Sequence, residues 1–399
     1  MFEYLTAGES HGPRLTAIIK SLPSSLKVEV DKINEQLFRR QQGYGRGGRM
    51  KIESDQVIIN SGLRHKKTLG TPLSMTIENK DWQNWIEIMA PDKELGEEVE
   101  ALTNPRPGHA DLPGALKYHH RDLRNVLERA SARETAARTA VGAVARQFLA
   151  EFEVNVYSHV VQIGNLKSES WTDLKAKDPE RFASEETLQK YFSELDETPL
   201  RCGDSSKTEA MKNLIDSWRA NGDSVGGVFE IVVTGLPVGL GSHVHWDLKL
   251  ESKLAAELMG IQAIKGVEIG SGFKGAGLPG SKAHDEIYYN LDRGFYRSSN
   301  QAGGIEGGMS NGEELIIRLA MKPIPTLAQA LHSADIISKK ETTAAKERSD
   351  VCAVPAASIV GEAVTASVLA QSTAEKFGGD SIKEIKRNYE SYLEQLRRF

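Results

Sequence analysis

Two cysteines in 399 residues, Cys202 and Cys352, rule out a disulfide framework and leave no cysteine set for a structural metal. No metal site is expected, and the sparse thiols fit a reducing, cytoplasmic location. The chain has no continuous run of about 18 apolar residues, so no membrane span is expected. Its first residues, MFEYLTAGESHG, have neither a basic segment nor an apolar core, so no signal peptide is expected. Positive charge is not in excess either, since the formal net charge is −5. The molecule as a whole is therefore not built to hold a polyanion, and any anion site must gather its cations locally. What is present, 39% apolar and 26% charged residues, fits a globular protein of one large domain or two ordinary ones. The 36 glycines, many in pairs, suggest backbone packed against ligands or other backbone.

The stretch 104–146 concentrates the chemistry. It opens as a loop, punctuated by Pro105, Pro107, Gly108, Pro113 and Gly114, that carries Arg106, His109 and Asp111. A helix follows. Ser131 suits its N-cap, Glu134 stands at the capping-box spacing, and alanines dominate through Ala145. Arg129 and Arg133 flank that cap, where a cation and a positive helix end repel. A phosphate or carboxylate between them would resolve the conflict. The alternative is a surface helix with solvated arginines.

Near the start, Gly8-Glu9-Ser10-His11-Gly12 precedes an apolar strand closed by Pro23. Ser10 and His11 are adjacent, so in extended chain their side chains diverge and a hydrolase pair is not expected. Residues 31–49 read as a helix running into an Arg/Gly loop. Gly43, Gly45 and Gly48 match G-x-G-x-x-G, but a dinucleotide fingerprint follows a strand and this one follows a helix. Arg39, Arg40, Arg46 and Arg49 remain, on a backbone suited to a multiply anionic ligand and to lid-like mobility. A Gly/Arg RNA-binding segment is the rival reading, weakened because no aromatic-rich RNA-binding strand accompanies it.

Trp82 and Trp85 are read as packing residues. Residues 165–222 are polar and read as a peripheral insertion without chemistry. Ser10–Pro23 is echoed by Ser224–Pro237, and the alanine-rich helix is echoed after Pro355. Two related halves, about 1–155 and 222–399, are therefore expected, with the two helix starts lining one site. The second half adds glycine loops (Gly303, Gly304, Gly307, Gly308), a Lys322-Pro323 turn, an Arg348-Ser349-Asp350 tip and a tail helix.

Taken together, GESHG (8–12), RRQQGYGRGGR (39–49), RPGHAD (106–111), ERASARETAAR (128–138), IQAIKG (261–266), GGIEGGMSNG (303–312), KPIPT (322–326) and ERSDVCAVP (347–355) resemble the chorismate synthase family, across nearly the whole chain and in the family's order. The resemblance implies an α+β fold, a β-α-β sandwich of antiparallel sheets enclosing helices, assembled as a homotetramer. It implies a lyase that converts 5-enolpyruvylshikimate 3-phosphate to chorismate by 1,4-elimination of phosphate, with reduced FMN as cofactor and no nucleic-acid or membrane partner. An ordinary flavin oxidoreductase, with net substrate oxidation, is the other enzyme reading.

By the same resemblance, His11, His109 and Asp350 are the catalytic candidates. Ser10, Arg40, Arg46, Arg49, Arg106, Arg133 and Arg348 are the candidates for substrate. Arg129, Ala130, Ser131, Gln262, Ala263, Gly307, Lys322, Pro323, Ile324, Pro325, Thr326 and Arg348 are those for FMN. Arg40 and Arg46 could also meet the phosphate of NADPH as an indirect reductant, although reduced flavin supplied from elsewhere is the expectation. Ala130 stands where many relatives carry serine, and Gln262 where asparagine is common.

Overall fold

The computed structural model describes residues 2–47, 54–94, 99–291, 294–346 and 350–399. Gly48, Arg49, Glu347 and Arg348 are outside the described residues, and with them two of the candidate arginines.

Two antiparallel sheets enclose a layer of helices. In the first, β1 (Glu3–Ala7), β2 (Arg14–Lys20), β3 (Val57–Ser61) and β4 (Leu73–Glu78) lie in the order β1-β2-β4-β3. Alternation sets its inner face: Leu15, Ala17 and Ile19 of β2 and Leu73, Met75 and Ile77 of β4 are buried. In the second, β5 (Asn155–Ile163), β6 (Leu166–Lys167), β7 (Gly227–Thr234), β8 (Ile264–Ile269) and β9 (Leu315–Met321) lie in the order β8-β9-β7-β5-β6. Leaving out β6, the order β5-β7-β9-β8 repeats the order β1-β2-β4-β3 of the first sheet. This is the α+β sandwich implied by the resemblance.

Between the sheets run α1 (Val30–Gln41), α4 (Thr135–Ala150), α8 (Leu250–Met259) and α9 (Val354–Phe377). α4 and α9 are buried on nearly every side, which is why their sequences show no polar stripe. α9 is long and apolar enough to cross a membrane by composition, and 94% of its most apolar stretch is buried inside the protein. Small residues let the two helices approach closely: a Cβ added at Gly142 would stand 2.4 Å from the Ala363 backbone. Two shorter helices, α2 (Asp111–Tyr118) and α3 (Arg124–Ala130), lead into α4, and α10 (Ile382–Arg398) closes the chain.

One carboxylate is buried in the helix layer. Glu362 of α9 accepts from Arg39 and Arg146 at 2.8 Å, Arg201 at 3.1 Å and Ser158 at 2.7 Å. Burial pushes its pKa up, but the three guanidiniums outweigh that and bring it down to about 2.

The insertion differs from the expectation. α5 (Trp171–Lys177), α6 (Glu185–Asp196) and α7 (Ser205–Ala220) are polar only on their outer side. Trp171, Phe182, Leu188, Tyr191, Phe192 and Leu195 form a second apolar cluster with Tyr157, Val232 and Ile316. The insertion thus covers the outer face of the second sheet. A short sequence window shows only its charged side, because the aromatic residues that pack against the sheet are spread over some 25 positions.

Candidate active site

The starts of α4 and α9 meet at a cavity of about 460 Å³, within the roughly 300–1,000 Å³ typical of small-molecule and cofactor sites. The loop 8–12, the end of α1, the loop 106–110, and the segments 259–265 and 321–326 complete its wall. Among the described residues Arg40, Arg46, Arg106, Arg133, Lys265 and Lys322 line it, against the single carboxylate Asp350. Leu127, Ala130, Ile261, Ile264, Met321, Ile324, Pro325, Ala353, Ala357 and Val360 supply apolar surface.

Each arginine is paired with a carboxylate, which for Arg40, Arg106 and Arg133 is set behind the cavity wall. Asp55, whose side chain is fully buried, receives Nη1 of Arg133 at 2.7 Å on both oxygens and has Arg40 Nη1 at 3.6 Å. Arg40 Nε donates to Thr135 Oγ1 at 3.0 Å and Nη2 to the Ala132 carbonyl at 3.0 Å. Its buried Nη1 makes no hydrogen bond among the described residues. Burial lowers the Arg40 pKa to about 10, with Asp55 opposing and Arg133 and Arg46 adding to the fall, so it stays cationic at neutral pH. Arg133 Nε donates to Asn79 Oδ1 at 2.9 Å. Arg46 pairs with Asp350 at 2.7 Å, and the other Asp350 oxygen accepts from Gly47 N at 2.6 Å.

Asp111 serves two candidates at once. It accepts from Arg106 Nε at 2.8 Å and Arg106 N at 3.1 Å, and sits 2.5 Å from His109 Nδ1. Burial would raise the Asp111 carboxyl, but His109 and then Arg106 outweigh it and hold it far below the usual range. Arg106 Nη2 also lies 3.1 Å from His109 Nδ1. A guanidinium only donates, so the Nδ1 proton belongs to Asp111, and Arg106 Nη2 serves Asp111 Oδ1 at 3.1 Å. Arg106 Nη1 reaches Thr326 at 3.0 Å, which ties this loop to the 322–326 turn.

His11 stands across the cavity, paired with Glu128 at 2.8 Å and stacked on Trp85 at 3.9 Å. Ser131 Oγ donates to Ser10 Oγ at 3.1 Å. Lys322 Nζ donates to the Gly108 carbonyl; its burial and then its neighbour Lys265 lower its pKa. Two ammonium groups repelling each other in one wall is a configuration an anion relieves. Gln262 Nε2 donates to Glu134 at 3.3 Å, while its buried Oε1 has no hydrogen-bond partner among the described residues, an acceptor without a donor. Ala263 beside it holds a left-handed φ of 66°, a strain that clusters at ligand-binding positions.

Most candidates converge here: Ser10, His11, Arg40, Arg46, Arg106, His109, Ala130, Ser131, Arg133, Gln262, Ala263, Lys322, Ile324, Pro325, Thr326 and Asp350 all line the cavity. Others do not. The Arg129 guanidinium turns away to the Gly8 carbonyl at 3.1 Å and the Thr6 carbonyl at 2.9 Å, on a neighbouring open cleft. The two arginines at the helix cap therefore diverge, Arg129 to backbone carbonyls and Arg133 to Asp55. Pro323 is not in the lining. Gly307 is at a hairpin tip beside the start of α8, where Gly308 O accepts from Leu250 N at 2.9 Å. The end of α8 that meets the cavity is about 15 Å further along.

Two local expectations change. Ser131 does cap, accepting from Arg133 N at 3.2 Å, but it opens a short 3₁₀ turn, Ala132–Glu134, ahead of α4. Glu134 does not close a capping box and instead accepts from Thr6 at 2.8 Å. The described part of the Arg/Gly loop is stitched down, not lid-like. Tyr44 N donates to Pro199 O at 2.7 Å and its hydroxyl to Asp216 at 2.7 Å, while Gly45 O accepts from Val351 N at 2.8 Å. Gly45 has a φ of 95° and leaves 2.8 Å between its ideal Cβ and that of Cys352, so only glycine fits. With Arg39 on Glu362 and Arg40 and Arg46 in the cavity, these arginines are turned inward, which removes the basis for an RNA-binding surface. Sequence reasoning missed Asp55, Glu128, Thr135 and Lys265, and read Trp85 as packing although it carries His11. The one available signal was indirect: arginines destined for burial require carboxylates.

The model of the chorismate synthase family matches residues 2–374. Chorismate synthases from Geotalea uraniireducens and Geobacter sulfurreducens are 55% and 54% identical to this chain, and that from Desulforamulus reducens 55%, each over 100% of both chains. A solved crystal structure of chorismate synthase superimposes with a TM-score of 0.79 at 42% identity, covering 100% of this chain and 99% of that one.

Proposed function

Because the chain belongs to the chorismate synthase family, a carbon–oxygen lyase family acting on a phosphate ester, we propose that the cavity between the starts of α4 and α9 is where it eliminates phosphate from 5-enolpyruvylshikimate 3-phosphate. The observation that carries this placement is the cluster of six cations around an apolar-walled space in a protein of net charge −5. The substrate bears a phosphate and two carboxylates, and each charge-assisted hydrogen bond contributes about 1.5–3 kcal/mol. Arg40, Arg106 and Arg133 are aimed by buried carboxylates before any ligand arrives, so little ordering entropy is lost on binding.

The same residues fit a flavin. The apolar walls suit a flat tricyclic ring, and the partnerless Gln262 Oε1 is an acceptor for a ring N–H or a ribityl hydroxyl. Gln262, Ala263, Lys322, Ile324, Pro325 and Thr326, with Ala130 and Ser131, would hold FMN. When bound, reduced FMN supplies electron density as the allylic phosphate departs and recovers it when the C6 proton leaves.

His11 gives a proton to the departing phosphate, which leaves better protonated than bare. His109, fixed by Asp111, places a second imidazole where reduced flavin would carry negative charge. Asp350 is the carboxylate proposed to receive the C6 proton. Its Oδ2 is occupied by Arg46 at 2.7 Å, so in this role Arg46 turns to the substrate and frees that oxygen. The apolar wall keeps bulk water from the reacting carbons.

Arg40 and Arg46 are both spent on the cavity's charge network, which favours flavin reduced by another protein over NADPH bound here. Exposed apolar residues on the outer face of the first sheet, Leu5, Ile18 and Ile58, and on the hairpin with Tyr289 and Phe295, support a homotetramer. Two buried thiols suit the cytoplasm. The shared strand order supports reading the chain as two halves, with the second beginning at β5, before the insertion.

The test is anaerobic. The protein is mixed with reduced FMN and 5-enolpyruvylshikimate 3-phosphate, and chorismate absorbance is followed. Chorismate formation with no net oxidation of flavin is expected, and it is abolished in Arg106→Ala. Net oxidation of substrate, or full turnover by the variant, overturns the reading.

A further inference from the structure

Glu128 is a buried carboxylate, 2% exposed, whose ion-pair partner among the described residues is an imidazole. That is an expensive arrangement for structure alone, because a neutral amide would avoid the cost of burying a charge. Three of its contacts converge on the same short loop. Its Oε2 accepts from His11 N at 2.8 Å, its Oε1 lies 2.8 Å from His11 Nδ1, and its own carbonyl accepts from Ser10 N at 3.0 Å. The ring is clamped from one face by Trp85, with 23° between the planes, and the Arg124 guanidinium sits 5.1 Å from the Trp85 ring. Asn79 ties down the loop beneath, donating to Gly12 O at 2.7 Å and Glu9 O at 3.1 Å. Trp85 and Asn79 thus hold the ring and its loop alongside Glu128, so position and tilt do not rest on the Glu128 carboxylate alone.

We propose that Glu128 is a positioning residue that keeps a proton on His11 Nδ1, so that Nε2 is the nitrogen that serves the ligand. This rests on the reading of the cavity as the place where phosphate leaves. An ionised carboxylate can only accept, so Nδ1 must carry its hydrogen. As the C3–O bond breaks and its electron pair stays on the phosphate oxygen, the Nε2 proton passes to that oxygen. The ring is left neutral with its remaining proton on Nδ1, the tautomer Glu128 stabilises. Water restores the Nε2 proton before the next turnover. Glu128 therefore favours the ring both before and after the transfer.

Glu128→Gln tests this because an amide has one acceptor and one donor where the carboxylate has two acceptors. If its oxygen keeps the His11 backbone N–H, its NH₂ faces Nδ1 and drives the ring proton to Nε2. Nitrogen NMR of histidine-labelled protein without ligand, at a pH high enough for the ring to be neutral, is expected to show His11 as the Nδ1–H tautomer in the parent and as Nε2–H in the variant. kcat is expected to fall by about 10²-fold or more, as wrong-tautomer variants do, with KM changed less than about threefold. In a His11→Ala background the same change is expected to cost less than about twofold, since Glu128 then has nothing to act through. An Nε2–H tautomer in the parent, or an equal loss in both backgrounds, overturns the proposal. The parent NMR measurement needs no variant to fold, and a parent that makes no chorismate refutes the site reading separately.

Discussion

Asp55 holds two guanidiniums in place without touching a ligand itself, and Asp55→Asn separates that role from all others. The variant keeps shape and volume but offers Arg133 one accepting oxygen instead of two at 2.7 Å, and offers Arg40 no charge at 3.6 Å. Arg40 and Arg133 then repel each other across a wall where both are at least nine-tenths buried. Leaving a buried charge uncompensated costs about 3–5 kcal/mol. With an unfolding entropy of about 2.1 cal/mol/K per residue over 399 residues, a loss of about 4 kcal/mol lowers Tm by about 5 °C. The diagnostic part is the rescue. An anion in the cavity replaces the missing carboxylate, so phosphate buffer should raise the Tm of the variant more than that of the parent. Differential scanning calorimetry in chloride and in phosphate reads both effects. A parent-like Tm in chloride, or equal gains from phosphate in the two proteins, refutes the claim that Asp55 balances the site's positive charge.

His11→Ala and His109→Ala should each reduce turnover by about 10²–10⁴-fold with the fold intact by circular dichroism, and near-normal rates would discard their acid roles. Gln262→Ala should weaken FMN binding about tenfold in a fluorescence titration, since it removes the partnerless acceptor; unchanged affinity would place the flavin elsewhere. Glu362, and Glu230 of β7, which is buried against His159 at 2.9 Å and Arg318 at 2.6 Å, are both held near pKa about 2, below the ordinary 4.5. Their stabilising contribution is therefore complete above about pH 4.5 and is lost as pH falls toward about 2; Glu362→Gln should flatten that acid loss in calorimetry. Gly142→Ala should lower stability by about 1–3 kcal/mol or more through a helix–helix clash, read from denaturant midpoints; a neutral result would show that α4 and α9 can part without cost.

The insertion shows how exposure misleads a linear reading. Its lysines and glutamates dominate any window, but its apolar side is what the second sheet needs. The Arg/Gly loop misleads in the opposite sense. Its glycines suggest freedom, whereas Gly45 is glycine because Cys352 leaves no room for a side chain. Ser131 was recognisable as a cap from its type and place, but Glu134 was not free to complete a box, since Thr6 from a strand far away in the chain captured it.

Residue type, and resemblance in eight short motifs, nominated the groups proposed to carry the chemistry, arginines with two histidines and an aspartate, and marked helices whose alanines and glycines permit close contact. These follow from local properties, which each segment has before it meets any other. Partnership does not. Whether Arg133 faces an anion or Asp55, whether Arg129 joins the site or leaves it, and which nitrogen of His11 is committed to Glu128 depend on partners more than seventy positions away. A guanidinium that is buried requires a counter-charge, and only the folded chain decides which one is within reach.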